Sequence, residues 1–307
     1  MTLFSPEEAI QRIKSGVQFR EAELSRLKLE SFNIDKAVFI NCYMRGAILI
    51  DISSKETNFK HTNLSFAKLT NVKCDRADLE RTELNSATLE GVSINDANAY
   101  KAKLFGAKLN NLKAAHINLS FADLRQASGK NIYFSSANLN KAFLSQTQFE
   151  EINLERATVT NAGFQAAAIN NSRWHKANLQ NTSFNKSRLD NSYFNDASLV
   201  NSKFIEAELN DIDFNAAELL ETNFVRAKLT NVKFNGSTLL SANLEGAFLS
   251  KIDFTNANLQ DSNLENTTWH DVNFADCKVN GAVFSNAKGL TEEQKQWLKK
   301  NGALNVG

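Results

Sequence analysis

Proline is all but missing from this chain: Pro6 stands alone in 307 residues. No later residue lacks a backbone N–H, so a long hydrogen-bonded ladder can run unbroken. Cysteine is scarce too, and Cys42, Cys74 and Cys277 lie far apart. That spacing argues against a disulfide framework and fits a reducing compartment. His61, His116, His175 and His270 share no spacing that would cluster them as metal ligands must be clustered. An excess of one charge is also missing: 35 Lys and Arg face 34 Asp and Glu, a net of +1. Such balance fits neither a basic nucleic-acid binder nor an acidic mimic of nucleic acid. No apolar run approaches the length of a membrane span. The opening MTLFSPEEAIQRIKSG has no apolar core long enough for a signal peptide. A cytoplasmic protein without a membrane partner is expected.

Catalytic signatures are missing as well. There is no phosphate loop, nucleophile elbow or zinc helix. The acidic residues are spread over the chain rather than converging, as a solvated surface requires and an active site does not. The expectation is a protein that is not an enzyme, with no catalytic residue, no cofactor and no metal.

What the chain does have is a single register. From Phe19 to Phe284 every fifth residue is a repeat centre, with nothing inserted or lost: Phe19, Leu24, Leu29, Ile34, Phe39, Met44, Leu49, and onward to Leu264, Trp269, Phe274, Val279, Phe284. Two residues before each centre stands a small residue, usually Ala, Ser or Thr. A period of five fits neither an α-helix nor a flat strand; it calls for a solenoid.

A longer period lies inside the first. Bulky residues at the small position fall on one series spaced by twenty: Phe32, Ile52, Val72, Val92, Leu112, Ile132, Ile152, Ile212, Val232, Ile252 and Val272. Only Val17, Leu27 and Ile117 are comparably bulky and off it. A fifteen-residue coil would scatter the series over all sides, whereas a twenty-residue coil gathers it on one. The sequence therefore predicts a square coil of four five-residue sides. The centres agree: Phe194, Phe214, Phe234, Phe254 and Phe274 fall on one side, and Phe164, Phe184, Phe204 and Phe224 on the opposite one. Like residues stacked on like fill the interior from coil to coil.

On these residues the chain resembles the pentapeptide repeat family, whose unit reads Ala, Asp or Asn, Leu, any, any. It carries that unit as AKLTN (67–71), ADLER (77–81), ANLNK (137–141), ANLQN (177–181), ANLEG (242–246) and ANLQD (257–261). The resemblance implies an all-β solenoid, a right-handed quadrilateral β-helix, here of about 13 coils and roughly 65 Å in length. It also implies capping helices. Ser5 with Glu8 and Thr291 with Gln294 form capping boxes, and Pro6 sits at a first helical position. The expected organisation is an N-terminal capping helix (1–16), the repeat β-helix (17–289), and a C-terminal helix and tail (290–307).

Four centres are weak: Ser54, Ala99, Ala114 and Gly129. Voids there would be costly. Ile52, Leu112 with Ile117, and Ile132 offer compensating volume for three of them, while a local bulge is the alternative. Asn at outward positions is read as corner turns and amide ladders.

Outside the rod, one feature stands out. Directly after the centres, Val200, Leu220 and Leu240 stack in one row and Ile205 and Val225 in the next. This is a candidate partner-binding patch with a polar rim. Strand propensity alone is the competing reading. A second apolar group, Val38, Ile40, Tyr43, Ile48 and Ile50, is expected to lie under the N-terminal helix. Lys28, Lys68, Lys108, Arg188 and Lys228 form a weak basic row. Lys73, Lys113, Arg173 and Lys233, with Tyr133 and Tyr193, form another. Both are read as a solvated face, with contact to an anionic partner as the alternative. At the end, Trp297, Leu298 and Leu304 are candidate capping or dimer contacts, since an open β-helix end invites a second chain.

The function expected from these features is a protein–protein interaction scaffold whose partner the sequence does not name. A homodimer through the C-terminal end is a further expectation, and nucleic acid is not an expected partner. The alternative, known in the resembling family, is inhibition or protection of a type II DNA topoisomerase, gyrase, by DNA mimicry. Near-neutral charge and an unbroken frame weigh against it.

Overall fold

The structure is a computed structural model that describes residues 2–16 and 18–307. Val17, one of the bulky residues off the series, lies outside the described residues. By contacts the chain divides into two compact units, Met1–Thr158 and Val159–Gly307.

The N-terminal unit begins with a two-residue strand, Thr2–Leu3, pairing in parallel with Ala22–Glu23. Helix α1, Pro6–Lys14, follows, and its capping box between Ser5 and Glu8 is formed in both directions. Phe4 meets Phe19 edge-on at 5.6 Å, Arg12 lies over the Phe4 ring, and Lys14 lies 5.8 Å from the centre of the Phe32 ring. These contacts turn the N-terminal segment toward the first coil. Tyr43, expected beneath the helix, is 43% exposed. A nine-residue helix that packs on the coil's end does not also reach its flank.

Beyond the helix, each coil takes twenty residues. Leu29, Leu49, Leu69, Leu89 and Leu109 pair in parallel register. Phe19, Phe39 and Phe59 stack at 5.4 Å within the interior. In the C-terminal unit Leu189, Leu209, Leu229, Leu249 and Trp269 continue the same spacing. Within each unit, one side of the coils contributes strands to such a parallel face. The fold is a parallel β-solenoid, as the period predicts.

The small residue has a structural reason. It points inward beside the centre, and where it carries a hydroxyl a buried carbonyl can accept from it. Thr147, Ser187, Ser237 and Ser262 donate to the centre three residues back, while Thr182 and Thr222 donate across coils to Val159 and Leu199. Ala needs no partner at all, so Ala, Ser and Thr are the residues that fit.

The twenty-residue series marks one corner. At the other corners the amide of the next small residue donates back to the centre, as from Ala67 to Leu64, Ala77 to Cys74 and Thr82 to Leu79. At the fourth corner the strand pairing resumes at once on the far side of the positive-φ residue, within Gln148–Asn153, Glu208–Asp213, Lys228–Lys233 and Phe248–Asp253. The wider corner is filled by Ile152, Ile212, Val232 and Ile252, each at most 2% exposed.

The series is interrupted at Ser172 and Ser192 for a local reason. Trp174, fully buried, donates its indole N–H to Ser172 Oγ at 2.6 Å. Ser172 donates to Ser192 Oγ at 2.6 Å, and Ser192 to the Asp190 carbonyl at 2.9 Å. A larger centre has displaced the aliphatic and brought its own acceptors.

In the C-terminal unit the two phenylalanine sides form ladders, Phe164 to Phe224 at 4.9–5.0 Å and Phe194 to Phe254 at 5.0–5.3 Å. The ladders meet edge-on across the interior at 6.1–6.3 Å. That combination, stacked along the coil axis and T-shaped across it, suits the ring quadrupole. Helix α2, Glu292–Lys300, starts from the predicted Thr291–Gln294 capping box. Gln294 also donates to the Val272 carbonyl at 2.9 Å, which ties the helix to the last coil.

Candidate interaction surface

The residue two after each centre takes a positive φ, as at Asn181, Asn201, Glu221 and Ser241. This corner residue faces outward, and at Asn181, Asn201, Glu221 and Ser241 its side chain is exposed. The five patch candidates sit just before such corners. Val200, Leu220 and Leu240 stack on successive coils, as do Ile205 and Val225, yet all five are half-buried rather than open. Between the two rows stand Asn201, Glu221 and Ser241 at the corner and Lys203, Asn223 and Asn243 beyond it. The expected single apolar patch is thus two aliphatic ladders on either side of a polar ridge. The ridge is polar because a positive φ favours Asn and small residues over β-branched ones.

Backbone hydrogen bonds hold the ladders in register. The carbonyls of Val200, Leu220 and Leu240 each accept from the corner amide of the preceding coil at 3.0 Å. Ile205 donates to Asn185 Oδ1 at 3.1 Å and Val225 to Asn223 Oδ1 at 2.9 Å. These side chains therefore stand on backbone that is tied to the neighbouring coils.

At the C-terminal end, Leu298 is fully buried and Trp297 stacks on Phe274 at 6.2 Å. A cleft of about 380 Å³ opens beside them, lined by Val272, Phe274, Gln294 and Trp297. Past α2 the chain rejoins the solenoid. Leu304 bridges Val283, donates to Ala282 at 2.7 Å and accepts from Phe284 at 2.9 Å, while its side chain stays 50% exposed. The structure thus separates the three candidates. Trp297 and Leu298 line the covered end, and Leu304 faces outward.

The basic rows are partly neutralised. Lys28 lies 3.6 Å from Glu30 and Arg188 2.7 Å from Asp190. Along other columns, charge alternates from coil to coil: Lys36–Glu56–Arg76 in the N-terminal unit and Lys186–Glu206–Arg226 in the C-terminal unit.

Groups that do chemistry stay inside or apart. Burial pushes the thiols of Cys74 and Cys277 up to about 12 and raises that of Cys42. A thiol so shifted is not a nucleophile at neutral pH. Among the described residues no three His, Cys, Asp or Glu are grouped to hold a metal, and no helix is long and apolar enough to cross a membrane.

Several open aromatic residues lie outside the candidate patch. Phe66, Phe143, Tyr133, Tyr193 and Phe248 are 39–52% exposed. Tyr133 and Tyr193 were noted only as companions of a basic row. Sorting the position before the centre and the corner position for aromatic residues, as was done for the position after the centre, would have found the others.

The sequence matches the family described as pentapeptide repeat region over residues 167–244, and that described as pentapeptide repeats (8 copies) over 37–73, 73–111, 117–156 and 237–268. Several solved structures are similar. One is HetL of the cyanobacterium Nostoc sp. strain PCC 7120, a pentapeptide repeat protein involved in heterocyst differentiation regulation. It is 20% identical, with 91% of this chain and 96% of that chain covered and a TM-score of 0.34. Another is full-length QnrB1, a plasmid-mediated fluoroquinolone resistance protein, at 18% identity, 81% and 98% coverage and a TM-score of 0.28. A third is a thylakoid-lumen pentapeptide repeat protein of Arabidopsis thaliana, at 27% identity, 39% and 74% coverage and a TM-score of 0.24. No curated protein matches the sequence.

Proposed function

The chain belongs to the pentapeptide repeat family, and from that premise we propose that it is a non-enzymatic scaffold that captures a protein partner on its outer ladders. The observation that carries this reading is the Val200, Leu220, Leu240 ladder, flanked by Ile205 and Val225. Aliphatic side chains held half-buried at fixed coil spacing lose little entropy on docking, and a partner completes their burial. The polar ridge of Asn201, Glu221 and Asn223 then sets register rather than affinity. The test is capture from native extract with wild type and with Leu220→Glu/Leu240→Glu. A partner retained equally by both removes this reading.

A second copy at the C-terminal end is the second reading. Leu304 favours it, since the strand segment around it bridges Val283 on one edge and its side chain is half exposed. Light scattering of Leu304→Glu, which leaves Leu298 in place, tests it; an unchanged mass sinks it. DNA mimicry at gyrase draws no support from the surface. A mimic needs rows of one sign, and the Lys36–Glu56–Arg76 and Lys186–Glu206–Arg226 columns alternate.

A further inference from the structure

Two corners of the N-terminal unit carry a phenylalanine, Phe66 and Phe121, and the second sits in a basic column. Phe121 occupies a corner position at φ 59. Bulky residues are penalised there, and Asn, Asp or Gly are the residues such a turn selects. Backbone geometry therefore does not explain the phenylalanine. Its corner neighbours one coil before and one coil after are Lys101 and Lys141. Their ammonium groups lie 5.7 and 5.4 Å from the centre of its ring. Tyr100 meets the same ring edge-on at 5.7 Å and is itself 5.1 Å from Lys101.

The adjoining side extends the feature. Phe105 is 38% exposed and Phe143 52% exposed. Arg125 lies 5.9 Å from the Phe105 ring, but its guanidinium is held by Asp123 at 2.7 Å. Lys103 is likewise paired with Glu83 at 2.8 Å. Lys101, Lys141 and Arg81, by contrast, make no ion pair within 4.0 Å among the described residues. The corner column from Arg81 to Lys141 thus holds three cations and one aromatic ring without an acid. Toward the N-terminus it passes to His61, Asn41 and Glu21, so the basic stretch is bounded.

We infer that this corner is a docking surface for an acidic peptide segment of another protein, one that also carries apolar side chains. Charge complementarity identifies the occupant: three unpaired cations in one column call for carboxylates, and Phe105 and Phe143 offer apolar contact beside them. A single-stranded nucleic acid is disfavoured. Two ammonium groups already flank the Phe121 ring, so it offers no free face for a base to stack on. The ring instead holds the two lysines apart at about two coil spacings, roughly 10 Å. The surface lies in the N-terminal unit and stands whether or not the aliphatic ladders of the other unit bind anything.

The test is fluorescence anisotropy of the full chain with a labelled Glu/Leu peptide and, in parallel, a labelled oligothymidylate of equal length. Wild type binds the peptide, more weakly as salt rises, and binds the oligonucleotide less tightly. Lys101→Ala/Lys141→Ala and Phe121→Asn each weaken peptide binding about tenfold, while Lys68→Ala/Lys108→Ala, which removes two exposed lysines elsewhere, leaves it unchanged. Phe121→Asn keeps its circular dichroism and thermal midpoint, because Asn suits the corner. Absence of peptide binding by wild type overturns the inference, as does equal weakening in the Lys68/Lys108 control. Tighter binding of the oligonucleotide with the same dependence on Phe121 and the two lysines overturns it too.

Discussion

A repeat this regular makes its exceptions informative one residue at a time. Gly129, a centre without a side chain, is compensated as its neighbour suggests. A Cβ built on it would lie 3.1 Å from Ile132 Cδ1, which occupies the space, and 2.0 Å from the Leu109 carbonyl oxygen. Gly129→Ala is therefore expected to cost about 1–3 kcal/mol in chemical denaturation. Ser54 is different. Its hydroxyl is fully buried, with the weakly bonding thiol of Cys74 as its one polar neighbour. Ser54→Ala is expected to raise stability by about 1 kcal/mol, since a poorly met buried hydroxyl is removed; a lower denaturation midpoint would contradict this. The volume exchange at Gly129 was legible in the sequence because the two residues are only three apart, across one corner of one coil. The relay from Trp174 through Ser172 to Ser192 was not, because it depends on which side chain a neighbouring coil supplies.

At the scale of the elements, corners and ends decide the structure. The bulky series read from the sequence marks the corner where strand pairing continues on both sides of the positive-φ residue, and both capping boxes were legible as short local patterns. What each helix covers was not legible: α1 packs toward Phe19 and Phe32 and leaves Tyr43 exposed. Leu298 is the buried anchor of α2, and Leu298→Ala is expected to destabilise the protein by about 2–5 kcal/mol. Coils are also tied by carboxylates. Burial works to raise the pKa of Asp253, but Thr255, Asn235 and Asn273 donate to it and hold it below the usual 3.8. The folded value is depressed, so the stabilisation is complete above 3.8 and is lost as pH falls through the folded value. Asp253→Asn is expected to flatten the fall in thermal midpoint on the acid side, from about pH 5 to about pH 2; an unchanged slope would show the network contributes nothing.

For the whole molecule, the repeat frame acts as a coordinate system for its surface. Charge was legible from composition only as a near-zero sum. The structure shows how that sum arises, with Lys, Glu and Arg alternating along columns in both units, and where it fails, at the Arg81 to Lys141 corner. The aliphatic ladders were legible as rows, but not the polar ridge between them, because the position after a centre and the corner position are adjacent in sequence and distinct in exposure. The account rests most heavily on the Val200, Leu220, Leu240 ladder as a protein-capturing surface. The measurement that tests it most directly is quantitative affinity capture from native extract with wild type and Leu220→Glu/Leu240→Glu, each checked by circular dichroism. A specific partner is expected to be held by wild type and lost by the variant while the β-solenoid signal is unchanged. Equal capture by the two proteins would contradict it.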